Sequence, residues 1–176
     1  ECVITLAPGL SFGTGQHGTT QACLIFLDRL QYWSPRASVL DIGCGSGILS
    51  IAAAKLGFPK VSAFDYDSDA VRIAQKNAAM NGVAERIDFR VADLTAFEPV
   101  EKAGIVLANV LASILIEQVA HVTAACAKGG RLVLSGILTR QYPDVHRVYE
   151  AAGCRELKTQ ERGGWLSGCF SNNPVE

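Results

Sequence analysis

Asp41, Gly43, Gly45 and Gly47 stand at alternate positions in VLDIGCGSGILSI (residues 39–51), where a β-branched apolar run meets three glycines and then returns to apolar residues. Glycines between a strand and a helix permit a tight turn, close approach of a ligand to the backbone, and use of the helix's amino-terminal N–H groups. A turn built from glycine for packing alone would look the same, so a second signal has to decide. Asp65 closes the next apolar run about 20 residues on, where a carboxylate can accept two hydrogen bonds from a ribose diol. The pair points to a ligand that carries a nucleoside. A dinucleotide fingerprint is GxGxxG, and Ile48 stands where its last glycine would be, which disfavours NAD.

Other residues carry weaker signals. Asn109 ends a later apolar run, from which it can aim an incoming nucleophile by a hydrogen bond or cap a helix that starts near Leu111; the spacing leaves both roles open. His17 lies in a glycine-rich stretch, and a hydrogen-bonding role that shapes the loop is favoured over that of a general base. Cys44 occupies a predicted helix start, where thiol pKa values fall. No histidine lies beside it in sequence and the turn calls for a small residue, so a nucleophilic role is rejected. Asp67 and Asp69 fit the first turn of the following helix, where the macrodipole favours negative charge. Phe12, Trp165 and Phe170 are candidate pocket aromatics, with core packing the commoner use.

The elements that must hold these residues can be read from periodicity. Short β-branched runs near 38–42, 60–65, 86–92, 104–109 and 130–136 alternate with longer amphipathic segments, the pattern of a mostly parallel sheet covered by helices on both faces. Ser68 is expected to cap a helix that buries Val71, Ala74 and Ala78 and stops at Asn81-Gly82. Lys128-Gly129-Gly130 is expected to end a helix that begins near Leu111, and Asp144 to Ala152 reads as helical. Two last runs near 154–160 and 165–170 are joined at Gly163-Gly164, too tightly for anything but an antiparallel hairpin. The expectation is an α/β fold with seven strands, mostly parallel, and an antiparallel hairpin at one edge.

Composition narrows the partners. The 176 residues suit one domain, 1–176, with an amino-terminal loop and helix over 1–36 and a core over 37–176. Sixteen Lys and Arg against 17 Asp and Glu, scattered rather than clustered, give no footprint for phosphate-backbone binding, so direct nucleic-acid contact is not expected. The six cysteines form no CxxC pair and lack histidines at ligand spacing, so no metal is expected; thiols of this kind are mostly small buried hydrophobes suited to a reducing, cytoplasmic setting. The apolar run 103–116 is too short for a bilayer and contains Asn109, so no membrane association is expected. Residue 1 is Glu rather than Met, which suggests a fragment or processed product.

Asp41-x-Gly-x-Gly-x-Gly resembles the first motif of class I S-adenosylmethionine-dependent methyltransferases, whose fold is Rossmann-like. In that family the loop lies against the methionine part of the cofactor, an acid after strand two holds the ribose and one after strand three meets the adenine; Asp65 and Asp93 stand in those places. The segments LAPGLSFGTGQHGTT (6–20), ANVLA (108–112) and LSGIL (134–138) resemble, more narrowly, the PrmA family of ribosomal protein L11 methyltransferases. That resemblance implies cofactor contacts for Thr20, Gly43, Asp65 and Asn109, with Phe12, Gly13 and Thr14 in the loop over the site and Asn109 as the catalytic candidate; the broader one adds Gly45, Gly47 and Asp93. It also implies S-adenosyl-L-methionine as cofactor and amino groups of a protein, most simply a ribosomal protein, as substrate. Two departures bear on the loop and on substrate choice: Ala7 replaces a common acidic residue and Gly18 a common proline. Nothing in the sequence matches the family's separate amino-terminal recognition domain. The alternatives are a methyltransferase of the same fold acting on another protein or a small molecule, or a nucleoside-cofactor module without catalysis.

Overall fold

The computed structural model describes residues 3–7 and 15–173. Seven strands, β1 (Ser38–Ile42), β2 (Lys60–Asp65), β3 (Ile87–Val91), β4 (Ala103–Asn109), β5 (Cys126–Leu138), β6 (Cys154–Arg162) and β7 (Trp165–Asn172), form one sheet. Their order is β3-β2-β1-β4-β5-β7-β6, parallel through β5 and antiparallel at β7 and β6. The seven-stranded sheet with an edge hairpin is therefore present. The order reverses between β1 and β4, and open α/β sheets bind ligands outside the carboxyl ends of strands at such a switch point.

Both faces of the sheet are covered, so its central strands are apolar on both sides rather than alternating. Val39, Val61, Ile105, Leu107 and Val133 face α1 (Gly18–Trp33), α2 (Ile48–Lys55) and α3 (Ser68–Met80). Leu40, Ile42, Val106, Leu132 and Leu134 face α4 (Ala112–Glu117), α5 (Val119–Ala124) and α6 (Tyr142–Ala151). Phe170 is fully buried in this second layer, which makes it a core residue and not a pocket wall. Among the described residues no helix is long and apolar enough to cross a membrane.

Three local expectations are corrected. The cap of α3 is Asp67, whose side chain accepts from the Asp69 N–H at 2.8 Å, and Ser68 is already helical. Lys128-Gly129-Gly130 does not end a helix: two short helices stop at Ala124, and these residues lie inside β5. There Gly129 at φ +76 carries a bulge, so that Ala103 pairs with Cys126 but Ile105 with Arg131. Helix α6 begins at Tyr142 with Pro143 in its first turn, two residues before the expected start.

A second irregularity in β5 shapes the site. The register against β7 shifts between Leu134 and Ile137, and Gly136 sits at φ +83 with its open side against the Val110 carbonyl. A side chain there would be strained in backbone and would strike that carbonyl. Gly136→Ala is expected to destabilise the protein by about 2–4 kcal/mol, read by urea unfolding. A loss below about 0.5 kcal/mol would show that the bulge gives way easily.

Candidate active site at the carboxyl edge of the sheet

Asp41 reaches the end of β1 almost completely buried, and both the Ser50 N–H (3.1 Å) and the Ser50 hydroxyl (2.5 Å) donate to its Oδ2. This ties the first turn of α2 to the strand. Burial raises the Asp41 carboxyl to about 6; the Ser50 hydrogen bonds oppose the rise and the nearby Asp65 charge adds to it. Beyond Asp41 the chain turns on Gly43, Gly45 and Gly47 at φ +68, +53 and +79, conformations that L side chains rarely adopt. A methyl on Gly43 would lie 2.7 Å from Val110 Cγ1, and one on Gly47 2.9 Å from the Ala74 Cβ. All three glycines are thus demanded by conformation, and two of them by space as well.

The backbone groups of the loop are held from the neighbouring strand and helix. The N–H groups of Gly43 and Cys44 both donate to the Phe64 carbonyl, at 2.9 and 3.0 Å. Asp65 Oδ2 accepts from the Gly45 N–H at 2.9 Å, and its Oδ1 from the Asp67 N–H at 3.1 Å. A carboxylate oxygen has two lone pairs, so each can still accept a further donor. Gly47 begins α2 with no side-chain cap.

Asn109 ends β4 half-buried, in register with Ser135 of β5. The residue at the start of α4 is Leu111, without a side-chain cap, so Asn109 is not the helix cap that its spacing also allowed. Its amide makes no hydrogen bond among the described residues. Asp93 lies at the carboxyl end of β3, exposed, where it caps a 3-10 turn, Leu94–Ala96. The Thr95 N–H donates to it at 2.9 Å and holds its carboxyl below the usual range. The neighbouring Ala92 N–H donates to the Asp65 carbonyl at 3.0 Å, which draws the ends of β2 and β3 together.

The amino-terminal segment approaches the same loop from above. Thr5 exchanges hydrogen bonds with Asn81, and the Ala7 N–H donates at 2.9 Å to Asn77, whose Nδ2 in turn donates to the Ser46 carbonyl at 2.8 Å. Gly15 returns against Ile48. Phe12, Gly13 and Thr14 lie outside the described residues, but the chain on either side of them converges on the glycine loop. His17 caps α1, accepting from the Thr19 N–H, and its ring meets Trp165 edge-on with centroids 4.9 Å apart. That is the loop-shaping role expected of it. Thr20 is buried in the first turn of α1. Gln16, His17, Gly18, Gln21, Arg162 and Trp165 border an open groove beside this turn. A more enclosed cavity, of about 200 Å³, lies under residues 97–101 against β1 and β2. Its lining includes none of the candidate site residues.

Cys44 does not qualify as a nucleophile: burial first, then the Asp41 and Asp65 charges, push its thiol above the ordinary range. Cys23, Cys126, Cys154 and Cys169 are buried as well. Sequence reasoning missed Asn77, and it singled out Ser135-Gly136 only within LSGIL, without a role in the site. Glycine inside a strand-like run was the available signal for the latter.

Comparison with known proteins gives consistent relatives. The family model described as Ribosomal protein L11 methyltransferase (PrmA) matches residues 1–172. The chain is 39% identical over 171 residues to the ribosomal protein L11 methyltransferase of Ruminiclostridium cellulolyticum, covering 97% of this chain and 54% of that protein. It is 43% identical over 166 residues to that of Geobacter metallireducens, covering 94% and 53%. The chain thus spans about half the length of the curated relatives it matches. Among solved structures, the ribosomal protein L11 methylase from Lactobacillus delbrueckii subsp. bulgaricus superposes with a TM-score of 0.88 at 32% identity, covering 97% of this chain and 85% of that one. The N-methyltransferase NodS from Bradyrhizobium japonicum in complex with S-adenosyl-l-homocysteine, at 17% identity and a TM-score of 0.71 over 89% of each chain, shares the fold.

The buried Asp41 generates a pH prediction. Because its folded pKa is raised from 3.8 to about 6, the cost of ionising it is absent below about pH 4, grows as pH rises to 6 and is constant above. An asparagine keeps an oxygen for the Ser50 donors and does not titrate. The stability of the wild type minus that of Asp41→Asn should therefore fall by roughly 2.4 kcal/mol between pH 4 and pH 7. Urea unfolding at both pH values checks this, and a difference independent of pH would contradict it.

Proposed function

Since the chain belongs to the ribosomal protein L11 methyltransferase (PrmA) family, we propose that it is the part of such an enzyme that binds S-adenosyl-L-methionine and transfers its methyl group to amino groups of a protein. A ribosomal protein is the proposed substrate and the cytoplasm the proposed setting. The near balance of charge, 16 Lys and Arg against 17 Asp and Glu, speaks for a protein partner rather than direct contact with nucleic acid or a membrane.

The observation that carries the reading is the cradle at the switch point: three left-handed glycines, an uncapped helix start, and Asp65 with accepting capacity left on both oxygens. These features fit a cofactor with a charged amino-acid end and a ribose. When bound, S-adenosylmethionine supplies a methyl group on a sulfonium that is already a good leaving group, so the protein chiefly has to align the reactants.

Each residue then has a defined task. The backbone at Gly43, Gly45 and Gly47 allows close approach of the methionine end, and Asp65 accepts from the ribose diol. Asp93, exposed beside it, faces the adenine end, and Thr20 contributes from α1. The family resemblance adds Phe12, Gly13 and Thr14, which lie outside the described residues, as further cofactor contacts. A substrate lysine, of reference pKa about 10.4, must first lose a proton, which a dry site favours. Asn109 Oδ1, free of other bonds among the described residues, accepts from the incoming amine and turns its lone pair toward the methyl carbon. Its role is catalytic by orientation.

Two measurements test the proposal. Asp65→Ala should weaken binding of S-adenosylhomocysteine by about 1.5–3 kcal/mol in calorimetric titration, while the protein stays folded; unchanged affinity would remove Asp65 from the site. Asn109→Ala should lower the single-turnover methyl-transfer rate by about 10²-fold and cofactor affinity far less. A rate near that of the wild type at saturating cofactor would leave Asn109 without a catalytic part.

A further inference from the structure

Beneath the carboxyl edge, two buried serines interrupt an apolar layer. Ser135 on β5 and Ser167 on β7 are 0% and 1% exposed, and their hydroxyl oxygens lie 2.7 Å apart. Ser135 Oγ also lies 3.2 Å from the Thr19 carbonyl, in the first turn of α1. A carbonyl can only accept, so the Ser135 proton points to Thr19, and Ser167 must donate to Ser135. Cys23, one turn further along α1, lies against the same hydroxyl, its thiol kept neutral by burial that pushes it up to about 12.

Burying two hydroxyls costs free energy unless both are bonded, and a pair of small apolar residues would fill the space without that demand. What the serines add is direction. Apolar contacts such as those of Phe26 and Leu27 press α1 onto the sheet but allow it to slide, whereas a hydrogen bond to one particular carbonyl fixes its register. Ser135 is the in-register neighbour of Asn109, and the next residue, Gly136, closes against the Val110 backbone. Two consecutive residues of β5 thus touch both walls of the site: the turn with His17 and Thr20, and the chain immediately after Asn109.

Resting on the methyltransferase reading, we propose that Ser135 is a positioning residue that holds the first turn of α1 at the depth where Thr20 meets the cofactor beside Asn109, with Ser167 as the donor that orients it. Its effect passes through Thr19 and not through contact with the ligand.

The test is titration of the chain with S-adenosylhomocysteine, well below the melting temperature. Ser135→Ala should weaken binding about tenfold and speed hydrogen exchange at the Gln21 N–H, which closes the first turn on the His17 carbonyl. Val145→Ala serves as control: Val145 is fully buried on α6 in the opposite layer, so the substitution should lower the melting temperature but leave affinity within about twofold. Ser167→Ala should act in the same direction as Ser135→Ala, and the double variant should lose less than the product of the two, since both break one chain of bonds. Ser135→Ala binding as tightly as wild type overturns the inference alone. A wild-type chain that binds no S-adenosylhomocysteine overturns the methyltransferase reading and this inference with it. Should Ser135→Ala not fold, Ser167→Ala decides: a threefold or greater loss of affinity supports the role, and unchanged affinity refutes it.

Discussion

The Asp65 carboxylate is the constraint on which the carboxyl edge depends. Through one oxygen it holds Gly45, in the middle of the glycine-rich loop, and through the other it holds Asp67, the residue that caps α3. The loop after β1 and the helix after β2 are therefore registered on a single side chain. Such an arrangement concentrates negative charge: Asp65 adds to the cost of ionising Asp41, already set mainly by burial. The uncapped start of α2, positive by its dipole, lies next to both acids and offsets part of that cost.

The fold was legible where residue type and burial agree. The bounds of β1 and β2 follow from short, mostly apolar runs, since strands covered on both faces carry few polar positions between their ends. Legibility failed where one local pattern serves two structures. Lys128-Gly129-Gly130 has the composition of a helix end, yet the left-handed Gly129 serves a strand bulge instead, a choice made by pairing with β4. Asp67 and Ser68 are both good caps, and Asp67 takes the place because Asp65 fixes its N–H.

The candidate site divides in the same way. Gly43, Gly45, Gly47 and Asp65 share one short stretch of chain with a fixed logic of turn and acid, and the structure brings them together. Asp93 is drawn in more loosely, by way of Ala92. The contact of Ser135 with Ser167 could not be found from sequence: the two meet only because β7 returns antiparallel beside β5, with Leu134 opposite Gly168. The same is true of Asn77, whose side chain spans Ser46 and Ala7 from a helix that reads as ordinary.

The pattern of commitment among these side chains separates shape from chemistry. Asp65, Asp93, His17 and Asn77 each engage a backbone N–H, so each already helps to build the backbone around the site. The Asn109 amide is uncommitted among the described residues, and a group that must bind an incoming amine needs that spare capacity. Cys44 shows the complementary constraint. A thiolate at this position would be the strongest nucleophile near an activated methyl group, and the helix start would favour it. Burial together with the charges of Asp41 and Asp65 keeps the sulfur protonated, so the acids that organise the loop also withhold a competing acceptor from the chemistry proposed for it.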